Sequence, residues 1–355
     1  MTIGKRKGAA AQGAGGTGGN KFGGSLSKND HWYIQQAFGL AENPGSDFSA
    51  TGGTQIIDGA NTYHVFVDHS SPETFVTTGT GQLEILVVGG GGGTGGEISG
   101  GGGAGGIAHA EDHTVNAGTH TITVGGGGAS LAPPVAPGPS KPTIVGSDSL
   151  FGASTPYVIT AKGGGGGLMD AATGPVSNSL MNGGSGGGNG DEPGSGTDYY
   201  GVASQPTQNP GVPTITNYGN SGFLPSSGNS PANGNKNGGG GGAGSGNTPG
   251  SGDNVTGGNG QPFGNFPGPV LAPAIPGVPT WATVVGPTGL FGGGGGGGTG
   301  PDHTAGSGGP GGGADADNAA IHYTGGGGGG GVYPSSPTHQ GHTGGRGIVI
   351  IRYPT

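Results

Sequence analysis

The sequence has no cysteine, few charged residues and no long apolar run. The lack of cysteine excludes disulfide bonds and cysteine-ligated zinc as sources of stability. Charged residues make up 8% of the chain, whereas ordinary domains have roughly 25% and unfolded chains are usually highly charged. No apolar run reaches the roughly 18 residues that span a bilayer, and the N-terminus lacks the apolar core of a signal peptide. We therefore expect no membrane insertion.

Basic residues are also few, and the net charge at pH 7 is −9. Because no basic stripe is available to neutralise phosphates, we expect no nucleic acid as a partner. Half of the lysines and arginines lie in the first 28 residues, namely Lys5, Arg6, Lys7, Lys21 and Lys28. Residues 1–30 are otherwise mostly small and predict an extended arm. It either anchors the protein to another chain or to the domain body, or serves as a solubilising tail.

Residues 31–49 carry the densest aromatic patch of the chain, which includes Trp32, Tyr33 and Phe38. The pattern predicts a short connecting helix or turn that ends at the Asn-Pro-Gly sequence of residues 43–45. A docking surface for a partner is the alternative. The remaining residues, 50–355, form one glycine-rich domain in this interpretation.

Glycine dominates that domain, with 99 glycines and 28 prolines in the whole chain. Such a composition is usually typical of low complexity or disorder. Here, however, the glycines form repeated long runs next to apolar segments, and residues 83–106 show the change most clearly: an apolar segment passes directly into almost pure glycine. We interpret the glycine runs as part of an ordered core.

Short β signals accumulate before and around the first runs. They lie at residues 54–57, 63–67, 74–77, 83–88, 108–115, 119–124, 143–145, 157–160 and 347–353. Their spacing, with Gly, Pro, Asn and Asp between them, predicts an all-β fold with an antiparallel sandwich or jelly-roll-like base. Residues 83–88 are apolar on almost both faces, which predicts a central strand. The equally apolar C-terminal segment must return to the same base, so we assign the base to residues 50–162 and 345–353.

The runs themselves are predicted to be polyglycine II helices. This threefold extended helix has about 3.1 Å rise per residue and points every backbone N–H and C=O outward. Where such helices have neighbours on all sides, only glycine fits, which predicts uninterrupted runs. Ordering a residue costs about 1–2 kcal/mol, and a net hydrogen bond returns about 0.5–1.5 kcal/mol. The runs should therefore order only when they are packed side by side and anchored by apolar strands, with loops joining them across residues 163–344.

Catalytic and nucleotide-binding patterns are not evident. There is no phosphate-binding GxxxxGK[ST] sequence, and GxGxxG matches are uninformative among so many glycines. Asp315 and Asp317 are oxygen donors suited to a hard cation, but a polar acidic loop is the stronger interpretation. A metal site among His303, His322, His339 and His342 is the other alternative. We expect no enzyme, no metal and no cofactor.

The predicted loops favour binding instead. Aromatic residues stand there among Ser, Asn, Gly and Pro, the composition that binding loops use for rigid anchors with adaptable polar neighbours. The candidate receptor-binding residues are Tyr199, Tyr200, Tyr218, Phe223, Phe263, Phe266 and Trp281. The alternative is that these side chains cover the ends of the glycine lattice.

The strand motifs resemble a known family. Residues 63–66 (YHVF), 74–76 (TFV), 83–88 with the following glycines, 100–106, 118–125 (GTHTITVG) and 347–353 (GIVIIRY) are similar to the glycine-rich domain of tailed-phage structural proteins, notably those of marine phages. The resemblance covers about residues 50–355. Similar polyglycine lattices are associated with phage tail-fibre adhesins, in which loops contact the host receptor, and with the extracellular glycine-rich domain of anaplastic lymphoma kinase.

The resemblance implies a non-enzymatic protein on the exterior of the virion, tail or capsid. It implies a tail-fibre or tip adhesin that binds a host glycan or outer-membrane protein through its loops. A capsid decoration or fibre structural subunit is the alternative. Other virion proteins and copies of the chain itself, plausibly in a trimer, are the implied partners. Attachment to the virion then falls to the N-terminal residues, with Lys5, Arg6, Lys7, Trp32 and Tyr33 as the anchoring candidates.

Overall fold

Two antiparallel sheets, a short helical segment and a lattice of glycine runs are the main parts of the structure. The computed structural model describes residues 48–96, 99–130, 144–152, 158–167, 178–190, 200–205, 209, 215–223, 237–246, 255–300, 304–332 and 341–355. These residues belong to one compact unit, Ser46–Thr355. The predicted N-terminal arm (residues 1–30), with Lys5, Arg6 and Lys7, lies outside the described residues, as do residues 31–47 of the predicted aromatic segment, with Trp32 and Tyr33.

The first sheet has five strands in the order β1-β4-β7-β8-β9. Its strands are β1 (Ser49–Thr51), β4 (Glu73–Thr78), β7 (Gly118–Thr123), β8 (Ser149–Phe151) and β9 (Ile159–Ala161). Successive side chains along these strands point to opposite faces of the sheet, so one face is buried and the other is exposed. In β4, for example, Phe75 and Thr77 are buried whereas Val76 between them is exposed.

The second sheet has six strands in the order β10-β6-β5-β13-β3-β2. They are β2 (Thr54–Asp58), β3 (Asn61–Phe66), β5 (Gly81–Val88), β6 (Ile107–Val115), β10 (Ile215–Tyr218) and β13 (Ile348–Pro354). The C-terminal strand β13 pairs with both β3 and β5 and is therefore central. A short pair, β11 (Gln261–Pro262) and β12 (Leu290–Phe291), forms the third sheet.

The central strands of the six-stranded sheet are buried on both faces, whereas the edge strand β2 is largely exposed. One face packs against the five-stranded sheet, where Phe66, Ile85 and Val349 meet Phe75 and Ile122 from the opposite strands. This arrangement is a β-sandwich core, and none of these five side chains is exposed. Burial on both faces explains why β5 and β13 are almost continuously apolar.

The other face is covered by residues 261–291, which include two short helices. Helix α1 (Gly268–Leu271) has a proline in its first turn, and helix α2 (Trp281–Val285) ends at Gly286. Gly286 has a φ of 63°, a left-handed conformation that glycine adopts without a steric penalty. Leu271 and Trp281 pack onto Leu86 of β5 and its neighbours in a second core cluster.

The all-β prediction and the central positions of residues 83–88 and 347–353 are confirmed. The prediction of a strand at 143–145 is wrong for the described residues 144 and 145. Ile144 accepts a hydrogen bond from Gly93 and belongs to the glycine lattice. The helices within 261–291 were not predicted, because four or five residues are too few to show a helical apolar period.

Candidate functional site

The glycine run at 89–93 is hydrogen-bonded to its neighbours with a period of three residues. Gly89 and Gly92 donate to the run at 100–106, through Gly106 O at 2.9 Å and Gly103 O at 2.8 Å. The intervening residues donate to other runs: Gly90 and Gly93 to residues 147 and 144, Gly91 and Thr94 to residues 345 and 342. A repeat of three with no bonds inside the run is the pattern of the threefold extended helix.

The run at 100–106 shows how densely the lattice is bonded. Its backbone exchanges hydrogen bonds with six surrounding segments, at residues 89–92, 162–165, 185–188, 238–241, 295 and 325–328. Backbone bonds therefore leave this run in all lateral directions. This agrees with the predicted packing of polyglycine II helices, and it satisfies the polar groups that a buried backbone must pair.

Close approach of the backbones explains the need for glycine. A Cβ atom added at Gly91 would overlap the carbonyl oxygen of Gly326, and one added at Gly327 would overlap that of Gly102. Gly126 lies on the side of the lattice and differs, since its added Cβ would meet only His69 Cδ2, at 3.6 Å. The requirement for glycine thus follows from the interior position and not from the run as such.

The strands hold one end of the lattice. Val88 of β5 leads directly into Gly89, and Gly347 leads directly into β13. Ser149 of β8 adds a link between strands and lattice, because its hydroxyl donates to Val88 O at 2.6 Å and accepts from Gly125 N at 2.8 Å. The apolar strands therefore anchor the glycine runs, whose own hydrogen bonds only about offset the entropy cost of ordering them.

The opposite end, which we call the outer end, gathers residues that are distant in sequence. Thr94 N donates to His342 O at 2.9 Å, Gly93 N to Ile144 O at 2.7 Å, and Gly167 N to Gly93 O at 3.0 Å. These residues stand within a few positions of the chain segments 131–143, 168–177 and 333–340.

A second set of bonds extends the outer end. Gly238 N donates to Asn189 O at 2.9 Å, Asn189 N to Phe223 O at 3.2 Å, and Gly298 N to Ser99 O at 2.9 Å. The neighbouring chain segments are 97–98, 191–199, 224–236 and 301–303. The chain thus enters and leaves most of its long connections at the same end of the lattice, away from the sheets.

Polar side chains close the lattice at the outer end. The buried Thr94 hydroxyl donates to Gly329 O at 2.8 Å and accepts from His342 N at 2.9 Å. Ser99 Oγ donates to Gly95 O and accepts from Gly331 N, both at 3.0 Å. Asn237 Nδ2 donates to Gly298 O at 3.0 Å. These contacts pair the terminal backbone groups and give the outer end a fixed framework.

The predicted aromatic anchors lie in different places. Tyr199 falls outside the described residues, and Tyr200 and Tyr218 are half-buried. The others are buried: Phe223 (3% exposed), Phe263 (5%), Phe266 (0%) and Trp281 (0%). Burial corrects the prediction that these four rings are exposed receptor anchors. Phe263, Phe266 and Trp281 instead cover one face of the six-stranded sheet, and Trp281 Nε1 donates to Tyr323 O at 3.0 Å.

Beside this aromatic group, Glu84 joins three separate parts of the chain. Its carboxylate accepts hydrogen bonds from Arg352 Nη1 at 2.7 Å, His109 Nε2 at 3.0 Å and Asn265 Nδ2 at 3.1 Å. Burial raises the pKa of Glu84, but these hydrogen bonds outweigh it and hold the pKa below its ordinary value. The ring of His109 also packs edge-on against Phe263. This network stabilises the helical cover on the sheet.

The residues considered as metal ligands have protein partners. Asp315 Oδ1 accepts from Gly308 N at 2.8 Å, and Asp317 Oδ1 lies 3.2 Å from His342 Nε2. His303 and His339 fall outside the described residues. Within the described ranges, no group of three or more His, Cys, Asp or Glu side chains is placed to hold a metal ion. No helix in the same ranges is long and apolar enough to cross a membrane.

The sequence did not identify the residues of the outer end. Thr94, Ser99 and Asn237 look like ordinary loop residues, and only the fold brings them beside glycines more than 60 positions away. The one available signal was that several of the long connections, such as 131–143, 168–177 and 333–340, follow a glycine run.

Comparison with known protein families identifies most of the chain. The model of a family described as "Glycine-rich domain" matches residues 69–354, which include β4 to β13 and the lattice. No curated protein matches the chain. Because the matched residues make up well over half of the sequence, this chain belongs to the glycine-rich domain family.

Proposed function

We propose that this protein is a virion-surface attachment protein of a tailed phage, a tail-fibre or tip adhesin that binds the host cell without catalysis. The site is the set of chain segments that connect the glycine runs at the outer end. The ligand is a glycan or a protein of the host outer membrane. The phage assignment is supported by the strand motifs and by membership of the glycine-rich family.

One observation carries the proposal: the flanks of seven connecting segments are hydrogen-bonded together at the outer end. Segments that differ in composition, such as 191–199 and 224–236, start from one framework of backbone bonds. Binding sites commonly combine variable connections with a rigid scaffold. A lattice joined mainly by backbone hydrogen bonds fits this role, because those bonds do not use the side chains of the connections.

The framework also limits the loss of conformational freedom on binding. Both flanks of the 224–236 segment are tied to the lattice, through Phe223 N to Gly239 O at 3.0 Å and Asn237 N to Gly298 O at 3.2 Å. Holding the ends of a connection in place reduces the entropy that binding must offset. The proposed site therefore combines sequence freedom in the connections with fixed positions at their ends.

Cell-binding measurements test the proposal. Residues 191–199 and 224–236 are each replaced by Gly-Ser linkers of equal length, and binding of the labelled protein to a panel of marine bacteria is measured. We expect the replaced proteins to lose binding to any strain that the wild-type protein binds, while their thermal unfolding midpoint stays unchanged. Retained binding in the double replacement overturns the assignment of the site.

A matched control uses residues 153–157, which connect β8 to β9 at the strand ends remote from the lattice. Their replacement by a linker of equal length is expected to leave cell binding unchanged. Equal loss of binding in this control contradicts a site at the outer end. Electron microscopy of phage particles with labelled antibody tests the virion assignment separately, and absence of the protein from purified particles overturns it.

A further inference from the structure

A group of basic side chains lies on the side of the lattice, away from the outer end. It consists of His69, His322 and Arg346, which we call the basic cluster. Arg346 Nη1 donates to Tyr323 Oη at 3.2 Å, and the rings of His322 and Tyr323 are 6.1 Å apart. Burial lowers the pKa of both histidines, and the positive charge of Arg346 lowers both further. His69 lies against Gly126, and Gly125 O accepts a hydrogen bond from Gly347 N, next to Arg346, so these basic side chains share one region of the fold.

The basic cluster has no neutralising ion pair among the described residues. The other two lysine or arginine side chains in the described ranges are paired, Lys162 with Asp148 and Arg352 with Glu84, each at 2.7 Å. Arg346 has no carboxylate within the 4.0 Å of an ion pair in the described ranges. This arrangement is unusual in a chain whose net charge is −9.

The nearest carboxylates are turned to other partners. Asp68 precedes His69 and opposes the lowering of its pKa, but the Asp68 oxygens accept hydrogen bonds from Ser70 and Ser71 at 2.6–3.0 Å. Glu73 accepts from the backbone N–H of Asp68 at 3.4 Å. Within the described residues, neither carboxylate forms an ion pair with Arg346 or with the two histidines.

Unused hydrogen-bonding groups surround the basic cluster. His322 Nδ1 is buried and has no hydrogen-bond partner. In the described part of the chain, the N–H groups of Gly126 and Gly127 donate no hydrogen bond, although those of Gly125 and Gly128 do. Gly126 adjoins His69, and Gly125 O accepts from Gly347 N, the residue after Arg346. The free N–H groups of Gly126 and Gly127 therefore lie near the positive charge of Arg346, which has no ion-pair partner in the described ranges.

Tyr323 is held in a strained conformation at this position. Its φ is 62°, which is uncommon for a residue with a side chain, and the Trp281 indole hydrogen-bonds its carbonyl at 3.0 Å. The buried phenol in turn fixes Arg346. Strain that the surrounding structure maintains is characteristic of functional positions.

We propose that the basic cluster and the free N–H groups of Gly126 and Gly127 bind an oxyanion of the sulfate or carboxylate type. The anion offsets the repulsion between the basic groups, accepts hydrogen bonds from the guanidinium and the backbone, and gives His322 Nδ1 a partner. Charge-assisted hydrogen bonds from arginine to such oxyanions are strong. The ligand is either a free ion or a group carried by an acidic polysaccharide, and the site does not depend on the proposed attachment function.

The experiment follows the imidazole resonances of His69 and His322 by NMR during titration with sodium sulfate at constant ionic strength. We expect saturable shifts of both rings in the wild type. The Arg346→Gln variant is expected to bind sulfate about tenfold more weakly or worse, which corresponds to about 1.4 kcal/mol. Lys162→Gln is the control, because it removes an equal charge from a paired site and should leave the affinity unchanged.

Two further measurements make the result decisive. His69→Gln alters an exposed side chain, so we expect weaker sulfate binding and an unchanged unfolding midpoint. This variant tests the proposal even if Arg346→Gln misfolds. If the wild type binds dextran sulfate but not dextran, and the same variants lose this binding, the ligand is a group carried by a polysaccharide. If the protein binds sulfate but not dextran sulfate, the ligand is a free ion. Absence of saturable shifts, or equal affinity in all variants, overturns the proposal.

Discussion

Thr94 and His342 form reciprocal hydrogen bonds although 248 residues separate them: Thr94 N donates to His342 O, and His342 N donates to Thr94 Oγ1, both at 2.9 Å. The pair joins the residue after the first glycine run, 89–93, to the segment that leads into β13. At this point of the outer end the lattice is closed by a long-range contact.

Substitution of Thr94 by valine tests this closure. Valine has nearly the same shape but leaves His342 N and Gly329 O without the hydroxyl that pairs them. We expect the free energy of unfolding to fall by about 1–3 kcal/mol, the cost of leaving a buried polar group unsatisfied. Thr94→Ser retains the hydroxyl and should lose much less. Urea unfolding monitored by near-UV circular dichroism distinguishes the variants, and equal stability of Val and Ser would contradict the role of the hydroxyl.

Adjacent glycines provide a test of the lattice packing. At Gly127 an added methyl group would overlap the carbonyl oxygen of Gly344, whereas at Gly126 it would contact only His69, at 3.6 Å. We expect Gly127→Ala to destabilise the protein by about 1–3 kcal/mol or more, as overpacking does. Gly126→Ala should stay within about 0.5 kcal/mol of the wild type. The measurement is the difference in urea midpoint between the two variants, and similar midpoints would show that the runs are not close-packed there.

Anchoring of the lattice by strands predicts coupled unfolding. Leu86 of β5 is fully buried in the second core cluster, so Leu86→Ala should cost about 2–5 kcal/mol. If the strands hold the glycine runs in place, amide exchange should speed up at Gly91 and Gly102 as well as in β5. Hydrogen exchange followed by mass spectrometry or NMR measures both regions. Faster exchange confined to β5 would refute the coupling.

The sequence predicts the parts of the fold whose signals are local. The apolar residues 83–88 and 347–353 identify two central strands, because only strands buried on both faces lack polar alternation. Uninterrupted glycine likewise predicts threefold helices with neighbours on several sides. Register and partners do not follow, since a glycine run carries no side chains that distinguish one neighbour from another.

The candidate sites depend on contacts that no local pattern records. Phe263 and Trp281 stand among polar and small residues, as exposed binding residues do, yet the short helices turn both rings onto the sheet. The basic cluster combines His69 with Arg346, which are far apart in sequence and share no motif. In the fold, Gly126 lies against His69, and the adjoining Gly125 accepts a hydrogen bond from Gly347, the residue after Arg346.

Burial of His64, His113 and His120 should make the stability of the protein depend on pH. His64 is buried in the sandwich core; its Nδ1 donates to Gly52 O at 2.7 Å, and its Nε2 accepts from the Tyr353 hydroxyl at 3.1 Å. Burial lowers the pKa of His64 below the ordinary value, although the bond to Gly52 opposes this. Burial likewise lowers the pKa of His113 and His120. The unfolded chain therefore binds these protons at a higher pH than the folded chain does.

The free energy of unfolding should therefore be highest above about pH 6.5, the pKa of histidine in the unfolded chain. It should decrease as the pH falls below that value. Depression of the Glu84 pKa acts only at lower pH, below about 4.5, so the two windows are separable. His64→Asn retains a donor for Gly52 O but does not titrate; it should be less stable at pH 7.5 and should lose less stability between pH 7 and 5. Tyr353→Phe removes the hydroxyl while His64 remains, and should keep the pH dependence. Urea unfolding at half-unit pH intervals measures both, and an unchanged slope in His64→Asn would assign the pH dependence to the other histidines.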